Sequence, residues 1–178
     1  MDNIGNITSI RSITNTIAAY HANVDHNTVG KYIDLLCRAF AFYRIRRYDI
    51  KEKKYLRSED KYYLSDQSFR YARLGTKNMD HGRILENIVA IELLRRGYEV
   101  YVGVLYNKEI DFVALKQGEK IYIQVANDIS DPATFNREVS PLLQIRDAYP
   151  KIIIARTYQP RYQHEGIEIV DASEWLSK

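Results

Sequence analysis

With 178 residues, 46% of them hydrophobic and 28% charged, the chain has the make-up of an ordinary globular protein of one medium domain or two small ones. No apolar run reaches the length of a membrane span, and the start MDNIGNITSIRS lacks the basic and apolar regions of a secretory leader. Cys37 is the only cysteine, so no intrachain disulfide can form; a cytoplasmic location and a buried, unreactive thiol are expected. The net charge of +3 is uneven. Residues 1–76 carry 13 Lys and Arg against 8 Asp and Glu, and residues 77–178 carry 13 against 15, so the positive surplus lies in the first part. That asymmetry permits a polyanionic partner without requiring one.

In chain order, Ile10, Ile13, Ile17 and Tyr20 recur at helical spacing and predict a helix over 8–22. Residues 23–26 read as a turn. Asn27 is placed to cap a second helix carrying Val29, Tyr32, Ile33, Leu36 and Phe40. Two short helices joined by a tight polar turn have the helix-turn-helix outline. Phe42 to Asp49 alternates and is rich in strand formers. After the polar stretch KEKKYLRSED, KYYLSD predicts a second strand, giving a basic hairpin and a winged-helix-like segment over 1–76. Asp66 can cap a short helix that Gly75 ends, and residues 76–81 read as a linker.

The second part, 77–178, begins with an amphipathic helix from about Gly82 to Arg96, stopped by Gly97. Strands follow at YEVYVGVLY, EIDFVALKQ and KIYIQVAND, with a hairpin turn at Gly118. DPATFNREVSPLLQIRDAY is helical with a break expected at Pro141, where Ser140 would cap a new helix. KIIIART reads as a buried strand, and GIEIVDASEWLSK as a strand followed by a capped terminal helix. The order is α-β-β-β-α-β-β-α.

Three polar residues interrupt these apolar patterns: Glu86 in the helix, Asp111 in EIDFVA and Gln124 in KIYIQVA. A helical Glu, an Asp on the following hairpin and Glu/Gln-x-Lys on the next strand resemble the PD-(D/E)XK nuclease pattern. That resemblance implies a restriction-endonuclease-like mixed sheet flanked by helices. It implies Glu86 and Asp111 as ligands of Mg²⁺ or Mn²⁺, and Glu86, Asp111 and Gln124 as the catalytic set of a metal-dependent deoxyribonuclease. Ala126 stands where the pattern has Lys. Arg137 and then Lys108 are the nearest substitutes for the missing cation. Each of the three also has a bland reading: Glu86 as a surface pair with Arg83 or Arg95, Asp111 as a turn or a partner of Lys108, Gln124 as a sheet-edge hydrogen bonder.

From about residue 27 onward, RRYDIKEKKYL, KYYLSD, MDHGRILENIVAIELLRRGYEVYVG, EIDFVA, IYIQVA, Arg137–Glu138 and YPKIII resemble the C-terminal domain, of unknown function, of many bacterial and archaeal AAA+ ATPases. In that family the domain follows an ATPase module, in the same chain or another. The present sequence has no GxxxxGK[ST], so an ATP site of that type is not expected here. The basic hairpin residues Arg44, Arg46, Arg47, Lys51, Lys53, Lys54 and Arg57, interleaved with Tyr43, Tyr48 and Tyr55, are the candidate phosphate contacts. His21, His26, His81 and His164 are scattered and do not have zinc spacing. The expectation is a DNA-binding accessory module with a nuclease-like fold that has lost catalysis. The alternatives are a nuclease with a displaced cation and a protein-interaction module.

Overall fold

A computed structural model describes residues 4–20, 24–56, 59–75 and 79–178. It is a mixed α/β fold in which helices flank one large sheet. Two helices, α1 (Ile10–Ala19) and α2 (His26–Arg38), lead into β1 (Phe42–Ile45), β2 (Arg47–Asp49), β3 (Lys54–Tyr55), β4 (Lys61–Leu64) and α3 (Ser68–Leu74). There follow α4 (His81–Arg95), β5 (Glu99–Leu105), β6 (Lys108–Lys116), β7 (Glu119–Ala126) and α5 (Pro132–Leu143). The chain ends with β8 (Lys151–Ala155), β9 (Tyr162–His164), β10 (Ile167–Asp171) and α6 (Ala172–Leu176). The large sheet has eight strands in the order β3-β2-β5-β6-β7-β8-β10-β9. Its centre is the antiparallel meander β5-β6-β7, and β8 and β10 continue it in parallel. Gln117 and Gly118, both at positive φ, make the tight β6–β7 turn that the sequence expects.

The sheet buries both faces. On one, Leu85, Val89 and Leu93 of α4 and Trp175 of α6 pack over Val100, Phe112, Ile123 and Ile154. On the other, Val139 and Leu142 of α5 cover Tyr122, Ala126, Ile153 and Ile169. β8 lies between two parallel neighbours with Ile153, Ile154 and Ala155 fully buried, which is why its sequence is continuously apolar.

Several elements differ from the sequence reading. Asp25, not Asn27, caps α2, accepting a hydrogen bond from the Asn27 N–H at 2.9 Å. Helix α5 runs unbroken through Pro141, because the proline stands in the last turn and forfeits only one helical bond before the end. The long strand expected over 42–49 divides at Arg46. β1 pairs antiparallel with β4 in a separate two-stranded sheet, whereas β2 pairs in parallel with β5 and adds an edge to the large sheet. A short extra strand, β9, pairs with β10. The turn over 23–26, the linker over 76–81, Arg57 and His21 lie wholly or partly outside the described residues.

The helical pair is thinly buried. α1 has no buried residue and α2 only Val29, while Tyr32, Leu35, Leu36 and Phe40 are exposed. Cys37, expected to be buried, is only half-buried on α2.

Candidate functional site

The ladder between β6 and β7 runs as far as Phe112 opposite Ile123 and then opens. On its other side β6 carries a bulge: Tyr101 of β5 faces Val113, but Gly103 faces Ile110, so an extra residue is inserted at Asp111–Phe112. A bulge unpairs backbone and re-aims a side chain. Both consequences are met by side chains. The backbone N–H of Asp111 donates to Gln124 Oε1 at 3.0 Å, and the N–H of Val125 donates to Asp111 Oδ2 at 2.8 Å. Gln124 Nε2 in turn donates to Glu138 Oε2 on α5 at 3.0 Å. Asp111 and Gln124 therefore have work to do in the fold itself, since a buried N–H without an acceptor costs about 1–3 kcal/mol.

Glu86, on the inner side of α4, joins this cluster, but not through Arg83 or Arg95. Its Oε1 accepts from Lys61 Nζ at 2.9 Å and from the Tyr63 hydroxyl at 2.6 Å. Lys61 also reaches Glu109 Oε1 at 2.6 Å, and its side chain is only 5% exposed. Burial works against the Lys61 ammonium, but the carboxylates of Glu86, Asp111 and Glu109 outweigh it and hold its pKa above the ordinary value. Burial and the nearby Glu86 push the Asp111 carboxyl well above the usual range, with Lys61 pulling the other way. Gly5 packs on the same carboxylate: a Cβ there would stand 3.6 Å from Glu86 Oε2, and its φ of +78° suits glycine. A second link fastens β4 to α4, where buried Asn87 accepts from the Leu64 N–H at 2.8 Å and donates to its carbonyl at 2.9 Å.

All three residues singled out from the sequence thus meet around one pocket of about 790 Å³, together with Glu109, Glu138 and Arg137. Lys61 was missed. In KYYL it reads as one more solvated charge of a basic hairpin, and its partner lies 25 residues away. The two expected substitutes for the absent lysine are otherwise engaged: Arg137 pairs with Glu138 at 2.8 Å, and Lys108 donates to the Ser140 hydroxyl at 2.6 Å. Ala126 is 6% exposed in the apolar cluster under α5.

Glu86 Oε1 is held by two donors, Asp111 Oδ2 by a backbone N–H, and both Gln124 amide atoms are bonded. Among the described residues no three His, Cys, Asp or Glu side chains converge to hold a metal. Lys61 is the buried cation paired with two of these acids, Glu86 and Glu109.

The hairpin cations are distributed differently. Arg44 pairs with Asp34 at 3.2 Å and Arg47 with Glu59 at 3.0 Å. Lys54 pairs with Glu52, and Lys51 lies over the Tyr106 ring. Arg46 and Lys53 are exposed. None of the six lines the pocket. Lys51, Lys53 and Lys54 project from the β2–β3 turn at the edge of the large sheet.

Comparison with known proteins places residues 1–80 in a match to a domain of unknown function (DUF8612). That match ends at Asp80, the N-cap of α4. An uncharacterized protein of Haemophilus influenzae is 42% identical over 175 residues, covering 98% of this chain and 43% of that protein. An uncharacterized protein of Methanocaldococcus jannaschii is 27% identical over 127 residues, covering 69% of this chain and 28% of that protein. The chain therefore spans less than half the length of either curated relative. No solved structure matches it. No helix among the described residues is long and apolar enough to cross a membrane.

Proposed function

We propose that this chain is an accessory module of a longer AAA+ ATPase-like protein, with a winged-helix-like segment over 1–76 and a nuclease-like domain over 77–178. In this reading it holds DNA without cutting it. The observation that carries the reading is Lys61: its ammonium is locked between Glu86 and Glu109, two of the acids that line the pocket where a nuclease of the resembled type needs a divalent ion. Nucleic-acid binding rests on the positive surplus of residues 1–76 and on the exposed lysines of the β2–β3 turn. The exposed ion pairs of Arg44 and Lys54 are weak and exchangeable for phosphate contacts. The accessory role accords with relatives more than twice as long as this chain.

The test is DNA binding by fluorescence anisotropy across a salt series. Affinity is expected to fall steeply with salt, and a Lys51→Gln, Lys53→Gln, Lys54→Gln protein to show a shallower slope by about one unit per lost phosphate contact. Binding that is absent, or indifferent to salt, would contradict the reading.

Two other readings have an observation each. Lys61 beside Glu86 is also where a displaced catalytic cation would stand, which favours a metal-dependent nuclease; plasmid nicking decides between them. The exposed apolar residues Tyr32, Leu35 and Leu36 of α2 and Phe40 of the turn after it favour a protein-interaction surface; it would seat the module on its ATPase partner and show as a change in oligomeric state when Leu35→Glu is introduced.

A further inference from the structure

The pocket around Asp111 is not isolated. A second pocket of about 470 Å³ shares Asp80, Gly82, Val125, Arg137 and Glu138 with it. A third, also about 470 Å³, shares Asn127 and Asp128 with the second. Together they form one groove past the carboxyl ends of β7 and β8, a crevice that open α/β sheets commonly use for ligands. Its far end is built by Arg156, Thr157 and Tyr158 of the loop after β8.

Tyr158 is the residue there that the fold does not explain. The residue is 80% exposed, yet its backbone stands at φ +53°, which is uncommon for a bulky residue. The conformation is fastened from below. Asp171, 8% exposed at the end of β10, accepts the Tyr158 N–H at 2.8 Å, and its other oxygen accepts the Ser173 N–H at 2.9 Å and the Ser173 hydroxyl. The Ser173 hydroxyl, followed by the N–H groups of Tyr158, Ser173 and Thr157, lowers the Asp171 pKa to about 2, so the tether stays charged under ordinary conditions. Arg156 completes the arrangement. Its guanidinium lies 5.9 Å from the Tyr158 ring centroid, donates to the Tyr158 hydroxyl at 2.9 Å and reaches Asn127 Oδ1 at 3.3 Å.

We propose that Tyr158, with Arg156 beside it, is a stacking site for an unpaired base of single-stranded nucleic acid at this end of the groove. An aromatic face tethered at its backbone and hydroxyl and left open offers a base contact area at reduced ordering cost. Every base has a π face, whereas bases inside a duplex are already stacked, so the site selects single strands without selecting sequence. The guanidinium extends the platform and keeps N–H groups for an adjoining phosphate. The one carboxylate lining this end, Asp128, already accepts the Ser130 N–H at 2.8 Å and balances Arg156, so stacking rather than charge supplies the affinity here.

This inference rests on the nucleic-acid-binding reading, and its test separates the two. Anisotropy is measured on fluorescent oligo-dT of about 20 nucleotides and on a duplex of equal length, at low and at high salt. Tyr158→Ala is expected to weaken oligo-dT binding about tenfold at both salt concentrations without changing the salt slope, to leave duplex binding unchanged, and to be rescued by Tyr158→Phe. A lysine variant of the β2–β3 turn is expected to change the slope instead. If the native chain binds oligo-dT and Tyr158→Ala binds it equally well, the stacking site is wrong while the wider reading survives. If the native chain binds neither nucleic acid, both are overturned, and Tyr158 is left to a protein partner.

Discussion

At one end of the groove Asp111 closes the opened ladder between β6 and β7; beneath the other, Asp171 anchors the loop after β8. Both carboxylates accept backbone N–H groups, yet their acidities move in opposite directions. Asp111 is half-buried beside Glu86 and Glu138, and burial with like charge raises its pKa despite Lys61. Asp171 is surrounded by donors, and its pKa falls to about 2. The difference teaches what each end is built for. The Asp111 end is a crowd of acids that needs an internal cation, and Lys61 brings it from the β1–β4 sheet. The Asp171 end spends its carboxylate on presenting an exposed aromatic ring.

The largest expected effect comes from removing the internal cation. Lys61→Met leaves Glu86 and Glu109 facing each other without their counter-ion and is expected to cost about 3 kcal/mol in urea unfolding. Adding Glu86→Gln should return part of that loss, and a second substitution that merely adds its own cost would break the assignment. Next comes Asn87→Ala, which strips both buried partners from the Leu64 backbone and is expected to cost about 2 kcal/mol. Its effect tests whether β4 is held on α4 by these bonds.

The opposed acidities give a smaller effect with a definite sign. The lowered pKa of Asp171 contributes stability above its unfolded value near 4, and that contribution is lost as pH falls toward 2. Asp171→Asn should therefore flatten the stability profile between pH 4 and pH 2. The raised pKa of Asp111 works the other way. Its contribution is fully present below the unfolded value near 4 and is lost as pH rises through its folded value. Asp111→Asn, which keeps an oxygen for the Val125 N–H, should be no less stable than the native chain at pH 8. Profiles of the same sign for the two variants would contradict the contrast. Smallest of all, Tyr158→Ala should leave unfolding within about 0.5 kcal/mol of native, since its ring supports nothing in the core.

Much of this was legible in the sequence where a pattern is interrupted. Glu86, Asp111 and Gln124 stand out because each breaks an apolar run, and the structure brings them to one pocket. The helix at 81–95 and the meander after it follow their periodicities closely. Lys61 was illegible for the opposite reason: a charge among charges breaks nothing, and only the tertiary position of β4 against α4 makes it internal. The division of the 42–49 strand at Arg46 likewise depends on pairing with β5, a segment more than 50 residues away. A cap for the last helix was expected, and Asp171 supplies it; its second use, holding Tyr158, arises from the parallel placement of β8 and β10.

The most direct test of the central claim is supercoiled plasmid incubated with the native chain and Mg²⁺ or Mn²⁺ at low salt, with binding and nicking read from the same samples and Asp111→Ala run alongside. The expected result is retarded but intact plasmid, with no nicking above that of Asp111→Ala. Nicking by the native chain that Asp111→Ala abolishes would show that Lys61 does not close the acid cluster to a metal, and that the chain is a nuclease.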